Sequence, residues 1–509
     1  MNNDYETIIG LEVHVELSTK TKIFCGCATD FGAPVNTHIC PVCMGMPGAL
    51  PVLNKRVLDF AIATSLALNC EINRDFRFDR KNYFYPDNPQ NYQISQLYSP
   101  IGINGYVTIE NKNIRIHELH MEEDAGKLMH DPDTHETLID FNRAGVPLLE
   151  IVSEPDMRNA DEVISYLKNL RMLLISLGVS DCRMNEGSLR ADVNLSVRKR
   201  GSEPIDDRLH AENTIGSPES PAANDSDIGS YKGDSYGLFG TRTEMKNLNS
   251  FKAMARAIEH ESKRQISLLE QGLDVSQETR RWDDTAGESY IMRAKEDAMD
   301  YRYFPDPDLP LFNVSEEHIN MIRKSLPELP QAKAERYMHD FGLPAHDAIQ
   351  IISEKKLSCI FEETVNLGAS PKAVTNWLLG ETIRIMNERE TDADQLMIKP
   401  ENLCDLISLH EQHTINSSTA KEIFEKIYDN EITDVNKYVD DNSLGMVSDT
   451  DALSAIVDQV ISANPKSVSD YHAGKTKAIG FLIGQVMREM KGKADPEAAR
   501  TLLENKLRS

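Results

Sequence analysis

Long apolar runs and a secretion signal are both missing from the sequence. Nowhere in its 509 residues does an apolar stretch approach the roughly 20 residues that a membrane-spanning helix needs, so we expect no membrane association. The chain begins Met1-Asn2-Asn3-Asp4-Tyr5, with neither a basic start nor an apolar core. This beginning predicts no signal peptide and a cytoplasmic location.

Positive charge is also scarce. The chain has 55 Lys and Arg residues against 81 Asp and Glu, for a formal net charge of -26. This balance argues against a general affinity for nucleic acid, because phosphate binding needs clustered cations. A local basic patch remains compatible with it.

Eight cysteines are too few for a disulfide scaffold in a chain of this size. Four of them form two tight pairs, Cys25-Gly26-Cys27 and, after twelve residues, Cys40-Pro41-Val42-Cys43. Four thiolates in two pairs fit a closed tetrahedral zinc site of structural type. The alternative is four unrelated reduced cysteines.

The order of predicted elements indicates an α+β fold. Short alternating runs fill the chain up to residue 248, interrupted by a helical stretch at 160–177. Because regular βαβ alternation is missing, we expect a mainly antiparallel sheet. Residues 201–237 are rich in Ser, Pro, Asp, Asn and Gly without periodicity, which predicts a disordered insertion. Beyond residue 305 the patterns predict helices, among them 330–341, 371–387, 400–413, 419–428 and 451–463.

Four predicted strands carry unusual polar faces. In 11–17 and 114–122 the polar positions end in Glu-x-His-x-Glu, and 188–197 and 241–248 alternate Arg, Asp, Asn, Glu and Lys with apolar residues. A period of two places each polar set on one face of its strand. Solvated outer faces are one explanation. However, Asp, Asn and Glu are poor strand formers, so a single lined cleft is favoured.

Such a cleft suits magnesium and phosphate. Carboxylate oxygens are ligands that Mg²⁺ prefers, whereas His14 alone would favour manganese or zinc. Lys246 precedes a helix predicted to begin near Phe251 with Ser250 as its N-cap, and a helix N-terminus can hold phosphate. These features predict magnesium-assisted phosphoryl transfer. No Ser or Cys nucleophile motif stands out, which argues against a self-sufficient hydrolase.

Several stretches resemble the B subunit of the aspartyl/glutamyl-tRNA amidotransferase family. The matching motifs lie at 10–17 (GLEVHVEL), 78–86 (FDRKNYFYP), 92–96 (YQISQ), 122–127 (EEDAGK), 151–156 (IVSEPD), 186–190 (EGSLR), 246–250 (KNLNS), 300–305 (DYRYFP) and 474–492. The resemblance covers nearly the whole chain apart from the 201–237 insertion.

The resemblance implies a reaction and partners. The B subunit of that family uses ATP to phosphorylate the side-chain carboxylate of Glu-tRNA(Gln) or Asp-tRNA(Asn), and ammonia then displaces the phosphate. The amidase (glutaminase) subunit makes the ammonia from glutamine, and a small third subunit completes the heterotrimer. The missing nucleophile would therefore belong to another chain.

The resemblance also implies site residues. It identifies His14, Glu123 and Glu150 as magnesium ligands, with Glu12 and Glu122 as neighbours. The choice between the adjacent glutamates stays open, because strand alternation places Glu122 on the His120 face while the family match favours Glu123. The candidates for holding phosphate and the aminoacyl end are Lys81, Asn82, Arg190, Asn194 and Lys246.

The family comparison suggests three domains. These are a cradle-like catalytic domain at 1–295, a linker and helical domain at 296–405, and a small all-α tail at 406–509 that contacts tRNA. The cations expected to serve the tail are Lys475, Lys477, Arg488, Lys491 and Lys493. The apolar stripe from Ile479 to Met490 is interpreted as a packing face.

Two departures from the family pattern affect these expectations. Gln90 stands where many relatives carry a lysine, and the cysteine quartet is not universal in the family, which favours a structural role for it. Two other functions remain open from the residues alone. One is a non-catalytic, zinc-containing tRNA-binding subunit. The other is an ATP-dependent carboxylate–amine ligase acting on a small metabolite.

Overall fold

The structure is a computed structural model that forms two compact units, Met1–Leu329 and Pro330–Ser509. It describes residues 4–110, 112–131, 133–134, 136–201, 239–294, 301–445, 450–473, 475, 477–490 and 496–508. Beyond Gly201, the predicted insertion lies outside the described residues. No helix of the described chain is both long and apolar enough to cross a membrane.

The first unit contains the described strands. They are β1 (Tyr5–Glu16), β2 (Glu71–Ile72), β3 (Asp75–Phe76), β4 (Asp79–Asn82), β5 (Tyr92–Ser95), β6 (Gly102–Ile109), β7 (Lys112–Glu123), β8 (Lys127–His130), β9 (Thr137–Asp140), β10 (Pro147–Ser153), β11 (Leu189–Lys199), β12 (Thr243–Lys246), β13 (Glu278–Asp283), β14 (Glu288–Ala294), β15 (Phe304–Pro305) and β16 (Phe312–Asn313). Its helices are α1 (Lys55–Ala67), α2 (Ala160–Leu177), α3 (Phe251–Glu270) and α4 (Glu316–Ser325).

Nine strands form one sheet in the order β14-β13-β12-β11-β1-β10-β7-β6-β2. Every neighbouring pair is antiparallel except β12 and β13. The prediction of an α+β chain with a large, mainly antiparallel sheet is therefore confirmed. Three smaller sheets, including β15-β4-β5, complete the unit.

One face of the large sheet carries the hydrophobic core. Along β1 the odd-numbered Leu11, Val13 and Val15 are buried in a cluster that includes Leu167 of α2 and Met254 of α3. Burying a side chain of this size contributes about 1.5–3 kcal/mol. Because side chains alternate along a strand, this packing fixes the even-numbered residues on the opposite face.

Helices α2 and α3 begin at side-chain caps. Asn159 accepts a hydrogen bond from Glu162 N, and Gly178 ends α2 in the left-handed conformation at φ 67°. Ser250 accepts from Ala253 N at the start of α3, as the sequence predicted. These caps satisfy backbone groups that a helix end leaves unpaired.

The second unit is helical. Its helices are α5 (Pro330–Asp340), α6 (Ala345–Ile352), α7 (Lys355–Asn366), α8 (Pro371–Asn376), a π-helix (Trp377–Thr382), α9 (Ile383–Arg389), a 3₁₀ turn (Ala393–Gln395), α10 (Pro400–Glu411), α11 (Ser417–Tyr428), α12 (Val435–Asp441), α13 (Thr450–Ala463), α14 (Pro465–His472), α15 (Lys477–Glu489) and α16 (Pro496–Arg508). The predicted apolar stripe is a packing face: Leu482 and Val486 of α15 are buried against α13 and α16.

One predicted helix differs in detail. The sequence pattern predicts a single helix over 371–387, but the π-helix separates α8 from α9. Within it, the Thr382 hydroxyl donates to Trp377 O at 3.2 Å, and the Trp377 ring packs 5.0 Å from that of Phe424. Wider π turns are rare, and sequence periodicity does not reveal them.

Candidate active site

The polar strand faces meet on one side of the large sheet. His14 of β1 lies opposite Glu150 of β10 and Arg190 of β11, and Glu150 lies opposite His120 of β7. Two residues before His14 on β1, Glu12 lies opposite Asp192 of β11. The structure thus brings together the four faces that the sequence singled out.

A first group combines an imidazole and two carboxylates. Ligand atoms of His14, Glu122 and Glu150 all lie within 4.8 Å of one another. His14 Nε2 is 3.4 Å from Glu150 Oε2 and 3.8 Å from Glu122 Oε1. His120 Nε2 approaches Glu150 Oε2 to 3.1 Å.

The electrostatics of this group follow from buried opposite charges. Burial lowers the pKa of His14, but Glu150 and Glu122 outweigh burial and raise the pKa to about 9. Burial raises the pKa of Glu150, but His14 and His120 hold it well below its usual range. The carboxylates therefore attract positive charge, which a divalent cation can supply in place of protons.

Glu123 is placed elsewhere. The structure groups Glu122, and not the expected Glu123, with His14 and Glu150, because alternation along β7 points neighbouring side chains to opposite faces. Glu123 Oε1 accepts a hydrogen bond from Ile94 N at 2.9 Å. Burial raises the pKa of Glu123 to about 8, although the Ile94 amide lowers it.

A second acidic group lies on the same face. Ligand atoms of Glu12, Asp192 and Glu244 lie within 4.8 Å of one another. Lys246 Nζ is 2.6 Å from Asp192 Oδ2 and 2.8 Å from Glu244 Oε1. Asn194 Nδ2 donates to Glu12 Oε1 at 2.8 Å. Asn194 and Lys246, which were predicted to bind phosphate and the aminoacyl end, thus contact carboxylates of the second group. The sequence placed these carboxylates on the polar strand faces but did not identify them as metal ligands.

Burial is the main cause of the shifted pKa of Glu12. It raises the pKa of this carboxyl, and the nearby carboxylates of Glu150, Glu244 and Asp192 raise it further. Burial lowers the pKa of Lys246, but Asp192 and Glu244 outweigh burial and raise it. The second group is therefore rich in negative charge and carries one neutralising ammonium.

The other residues predicted to bind phosphate, Lys81, Asn82 and Arg190, differ in whether protein groups already occupy their polar atoms. Lys81 Nζ lies 5.0 Å from the centroid of the Tyr301 ring. The Asn82 amide instead donates to Arg80 O and Arg302 O, so it holds two segments together. Arg190 Nη2 pairs with Asp124 Oδ2 at 2.8 Å. Asp124 belongs to one of the sequence motifs, but no sequence pattern identified it as the partner of Arg190.

The four motif cysteines converge. The Sγ atoms of Cys25, Cys27, Cys40 and Cys43 lie within 4.8 Å of one another, and all four cysteines are free thiols. The Cys40 and Cys43 sulfurs are 3.9 Å apart. Tetrahedral coordination with Zn–S bonds of about 2.3 Å places sulfurs about 3.8 Å apart, so the cluster fits a zinc ion.

A buried lysine adjoins these thiols. Lys22 is 0% exposed, and its Nζ lies 3.7 Å from Cys43 Sγ and 3.3 Å from Phe141 O. The hydrogen bond from Cys25 lowers the pKa of the Cys43 thiol to about 5, and Lys22 also contributes. No sequence pattern marked Lys22.

The predicted tail cations are only partly described. Lys475, Lys477 and Arg488 are exposed, and Lys475 Nζ pairs with Asp470 Oδ1 at 2.9 Å. Lys491 and Lys493 lie outside the described residues.

Chemically, the sheet face can bind cations and phosphates together. Two clusters of carboxylates, the first of which includes the His14 imidazole, lie beside Lys81, Lys246 and Arg190 within one compact unit. Carboxylates with adjacent fixed cations are the usual components of sites that bind a nucleotide with Mg²⁺.

Two family models match the chain. The model described as the GatB/GatE catalytic domain matches residues 7–215 and 225–320, and so includes every residue of both acidic groups. The model described as the GatB domain matches residues 359–507.

Full-length relatives agree with the family models. The B subunit of the aspartyl/glutamyl-tRNA(Asn/Gln) amidotransferase of Lachnoclostridium phytofermentans is 54% identical over 503 residues, covering 98% of each chain. The corresponding B subunits of Lachnospira eligens and Agathobacter rectalis are 52% and 53% identical, covering 99% and 98% of this chain and 100% and 99% of their own.

These comparisons decide between the functions left open by the sequence. They support an amidotransferase subunit over both a non-catalytic tRNA-binding subunit and a ligase acting on a small metabolite. The chain belongs to the family of aspartyl/glutamyl-tRNA(Asn/Gln) amidotransferase B subunits.

Proposed function

We propose that the chain activates the side-chain carboxylate of Glu-tRNA(Gln), Asp-tRNA(Asn) or both. A carboxylate oxygen attacks the γ-phosphorus of ATP, ADP leaves, and an acyl phosphate forms. Ammonia from a partner glutaminase then attacks the carbonyl carbon, and phosphate leaves to give Gln-tRNA(Gln) or Asn-tRNA(Asn). Activation is needed because a carboxylate resists attack by ammonia.

One observation carries this proposal. Two acidic groups, His14 with Glu122 and Glu150, and Glu12 with Asp192 and Glu244, share one face of the sheet. Phosphoryl transfer depends mainly on positioning and on neutralising charge, and this face offers both. Each group has oxygen ligands of the type that Mg²⁺ accepts.

We assign the first group, with Glu122 in place of Glu123, as the residues that would hold Mg²⁺. Its donor set of two carboxylates and one imidazole fits a divalent cation, and Glu12 is the neighbouring carboxylate. Bound Mg²⁺ would neutralise charge on the phosphates. His14 and His120 keep the Glu150 carboxylate ionised, because they hold its pKa well below its usual range.

A cleft beside the second group supports ATP binding. Gly10, Glu12, Ser153, Asn194 and Arg242 contribute to its lining. Within the described residues, the buried Asn194 Oδ1 has no hydrogen-bond partner. A buried acceptor of this kind favours a ligand that donates a hydrogen bond, and Arg242 offers a cation.

The basic residues and Asn82 near the two acidic groups are assigned different roles. Lys246, between Asp192 and Glu244, is positioned to contact phosphate oxygens, and Lys81 stands between the first group and Tyr301. We assign Arg190 to orienting the acidic face through Asp124, and Asn82 to fixing the segment around Arg302.

The rest of the chain serves assembly and tRNA. We propose a cytoplasmic heterotrimer with the amidase (glutaminase) subunit and the small third subunit of the family. The cradle-like domain would span 1–295, a helical domain 296–405, and a tRNA-binding tail 406–509 with Lys475, Lys477 and Arg488. A zinc ion at Cys25, Cys27, Cys40 and Cys43 would stabilise the loops that carry these cysteines.

The decisive experiment measures ATP hydrolysis by the chain assembled with its partner subunits. Hydrolysis should require Glu-tRNA(Gln) or Asp-tRNA(Asn), because only the aminoacyl carboxylate accepts the phosphoryl group. Hydrolysis that is indifferent to misacylated tRNA would refute the proposal.

Glu150→Gln should abolish the tRNA-dependent hydrolysis, since it removes one ligand charge from the first group. Glu259→Gln is the matched control, because Glu259 lies on α3, which packs against the opposite, apolar face of the sheet. Full activity of Glu150→Gln would remove Glu150 from the metal site.

A further inference from the structure

A buried threonine outside the two acidic groups contacts the second of them. Thr279 lies on β13 and is 2% exposed, and its hydroxyl donates a hydrogen bond to Glu244 Oε2 at 2.8 Å. Hydrogen bonds to carboxylates are among the stronger ones in proteins. No sequence pattern marked Thr279, but its hydroxyl is bonded directly to the candidate active site.

The position of Thr279 follows from the parallel pairing of β12 with β13. The chain leaves β12, forms α3, and returns as β13 beside β12 in the same direction. The register of this pair places Thr279 opposite Glu244. Because side chains that lie opposite one another on paired strands share a face of the sheet, the hydroxyl reaches the carboxylate from the neighbouring strand.

Strand β13 is held in place around Thr279. Arg280 Nε donates to Ser289 Oγ at 2.8 Å and Arg280 Nη2 donates to Ser289 O at 2.7 Å, which ties β13 to β14. On the other face, the buried Trp282 ring lies 5.5 Å from the His260 ring of α3. Threonine is β-branched and has few χ1 rotamers. The direction of the hydroxyl is therefore fixed before any ligand binds.

Both oxygens of the Glu244 carboxylate are engaged. The hydroxyl holds Oε2, and Lys246 Nζ lies 2.8 Å from Oε1. The same ammonium lies 2.6 Å from Asp192 Oδ2, so it is held between two carboxylates. Without the hydroxyl, the Glu244 carboxylate is free to turn, and the ammonium loses one of its two fixed partners.

We propose that Thr279 is a positioning residue for ATP: by holding Glu244, it keeps the Lys246 ammonium where the phosphates of ATP bind. This proposal rests on the proposed function, which assigns Lys246 to contact phosphate oxygens. The Thr279 hydroxyl is engaged by Glu244 and acts through these two side chains. Loss of an outer hydrogen bond of this kind typically reduces affinity or activity about 10- to 100-fold.

The alternative is that Thr279 only stabilises the sheet. Thr243 shows what such a residue looks like, because it is 0% exposed on β12 and its Oγ1 accepts from Gln265 Nε2 of α3 at 3.1 Å. That hydrogen bond lies on the core face of the sheet. Positioning is favoured for Thr279 because its partner is a carboxylate of the acidic face and not a side chain of the core.

The test uses the chain assembled with its partner subunits. Thr279→Val removes the hydroxyl and keeps the shape of the side chain. The KM for ATP in tRNA-dependent hydrolysis should rise about tenfold, because the variant loses a hydrogen bond to a carboxylate. The dissociation constant of a non-hydrolysable ATP analogue, measured by calorimetry with Mg²⁺, should rise by the same factor. Thr279→Ser keeps the hydroxyl and should restore both constants.

Thr243→Val is the matched control. It also replaces a buried threonine of the same sheet and removes a hydrogen bond, but on the face that α3 covers. Both valine variants should lower the melting temperature, whereas only Thr279→Val should weaken binding of the ATP analogue. Thr279→Ala, which removes the hydroxyl without filling its space, should weaken binding as the valine variant does.

Three outcomes overturn the proposal. Unchanged affinity of Thr279→Val for the analogue, or an equal loss in Thr243→Val, would make Thr279 a structural residue only. Failure of Thr279→Ser to restore the affinity would show that the methyl group matters and not the hydroxyl. In each case the wild-type assembly would still show tRNA-dependent hydrolysis. If that dependence is itself missing, the proposed function fails instead.

Discussion

Glu122 and Glu123 are adjacent in the sequence but lie in different surroundings. Glu122 is grouped with His14 and Glu150, whereas Glu123 accepts a hydrogen bond from Ile94 N on the other side of β7. Strand alternation indicated Glu122, and the family match favoured Glu123. The physical rule of period two and the structure agree on which carboxylate faces the imidazole.

This difference predicts different magnesium requirements. Glu122→Gln should raise the Mg²⁺ concentration needed for half-maximal tRNA-dependent ATP hydrolysis by about tenfold or more, because it removes a negative ligand. Glu123→Gln should leave that concentration unchanged, because burial raises the pKa of Glu123 to about 8 and the side chain is largely neutral at pH 7. Magnesium titrations of both variants make the comparison, and the reverse ranking would contradict the assignment.

The burial of Lys22 could not be predicted from the sequence. A lysine is rarely buried without a partner, and here its Nζ approaches Cys43 Sγ and Phe141 O. Nothing in its neighbours along the chain indicates burial, because the contact joins segments that are distant in sequence.

We predict that Lys22 stabilises the thiolate form of the cysteine cluster. Lys22→Met should speed zinc release to a chelator by about tenfold, the effect of losing roughly 1.4 kcal/mol of charge-assisted bonding. Lys20→Met, an exposed neighbour, is the control. Equal release rates for the two variants would show that Lys22 does not act on the cluster.

Among the elements, long strands and capped helices were predictable. β1, β7 and β11 follow the alternating patterns, α2 spans the predicted stretch 160–177, and α3 begins at the predicted cap Ser250. The short strands were not predictable, because they depend on partners elsewhere in the chain: Arg80 of β4 pairs with Ile94 of β5 and with Phe304 of β15. Local patterns contain no information about such partners.

Close packing of β6 against the end of α1 gives an element-scale prediction. A Cβ on Gly105 would lie 2.4 Å from Cys70 Sγ and 2.6 Å from Leu68 O, and the second of these atoms is backbone. Gly105→Ala should therefore destabilise the chain by about 1–3 kcal/mol. Thermal unfolding measures this, with Gly484→Ala as the control, because no atom lies within 4 Å of a Cβ added there. Equal melting temperatures would contradict the packing argument.

At the scale of the whole molecule, the negative charge has two consequences. The net charge of -26 discourages general RNA binding, while the acidic face concentrates carboxylates where metal and phosphate would meet. The sequence predicted this face and the cysteine cluster because both rest on spacing. It did not predict the pairing of β4 with β15, which joins residues near 80 to residues near 304.

The central claim is that this chain converts a tRNA-bound carboxylate into an acyl phosphate, and oxygen transfer tests it directly. Glu-tRNA(Gln) labelled with ¹⁸O in the side-chain carboxylate would be converted by the full assembly with ATP and glutamine, and the released phosphate analysed by mass spectrometry. The account predicts one ¹⁸O atom in each phosphate released with product. Phosphate without ¹⁸O, alongside amide formation, would contradict it.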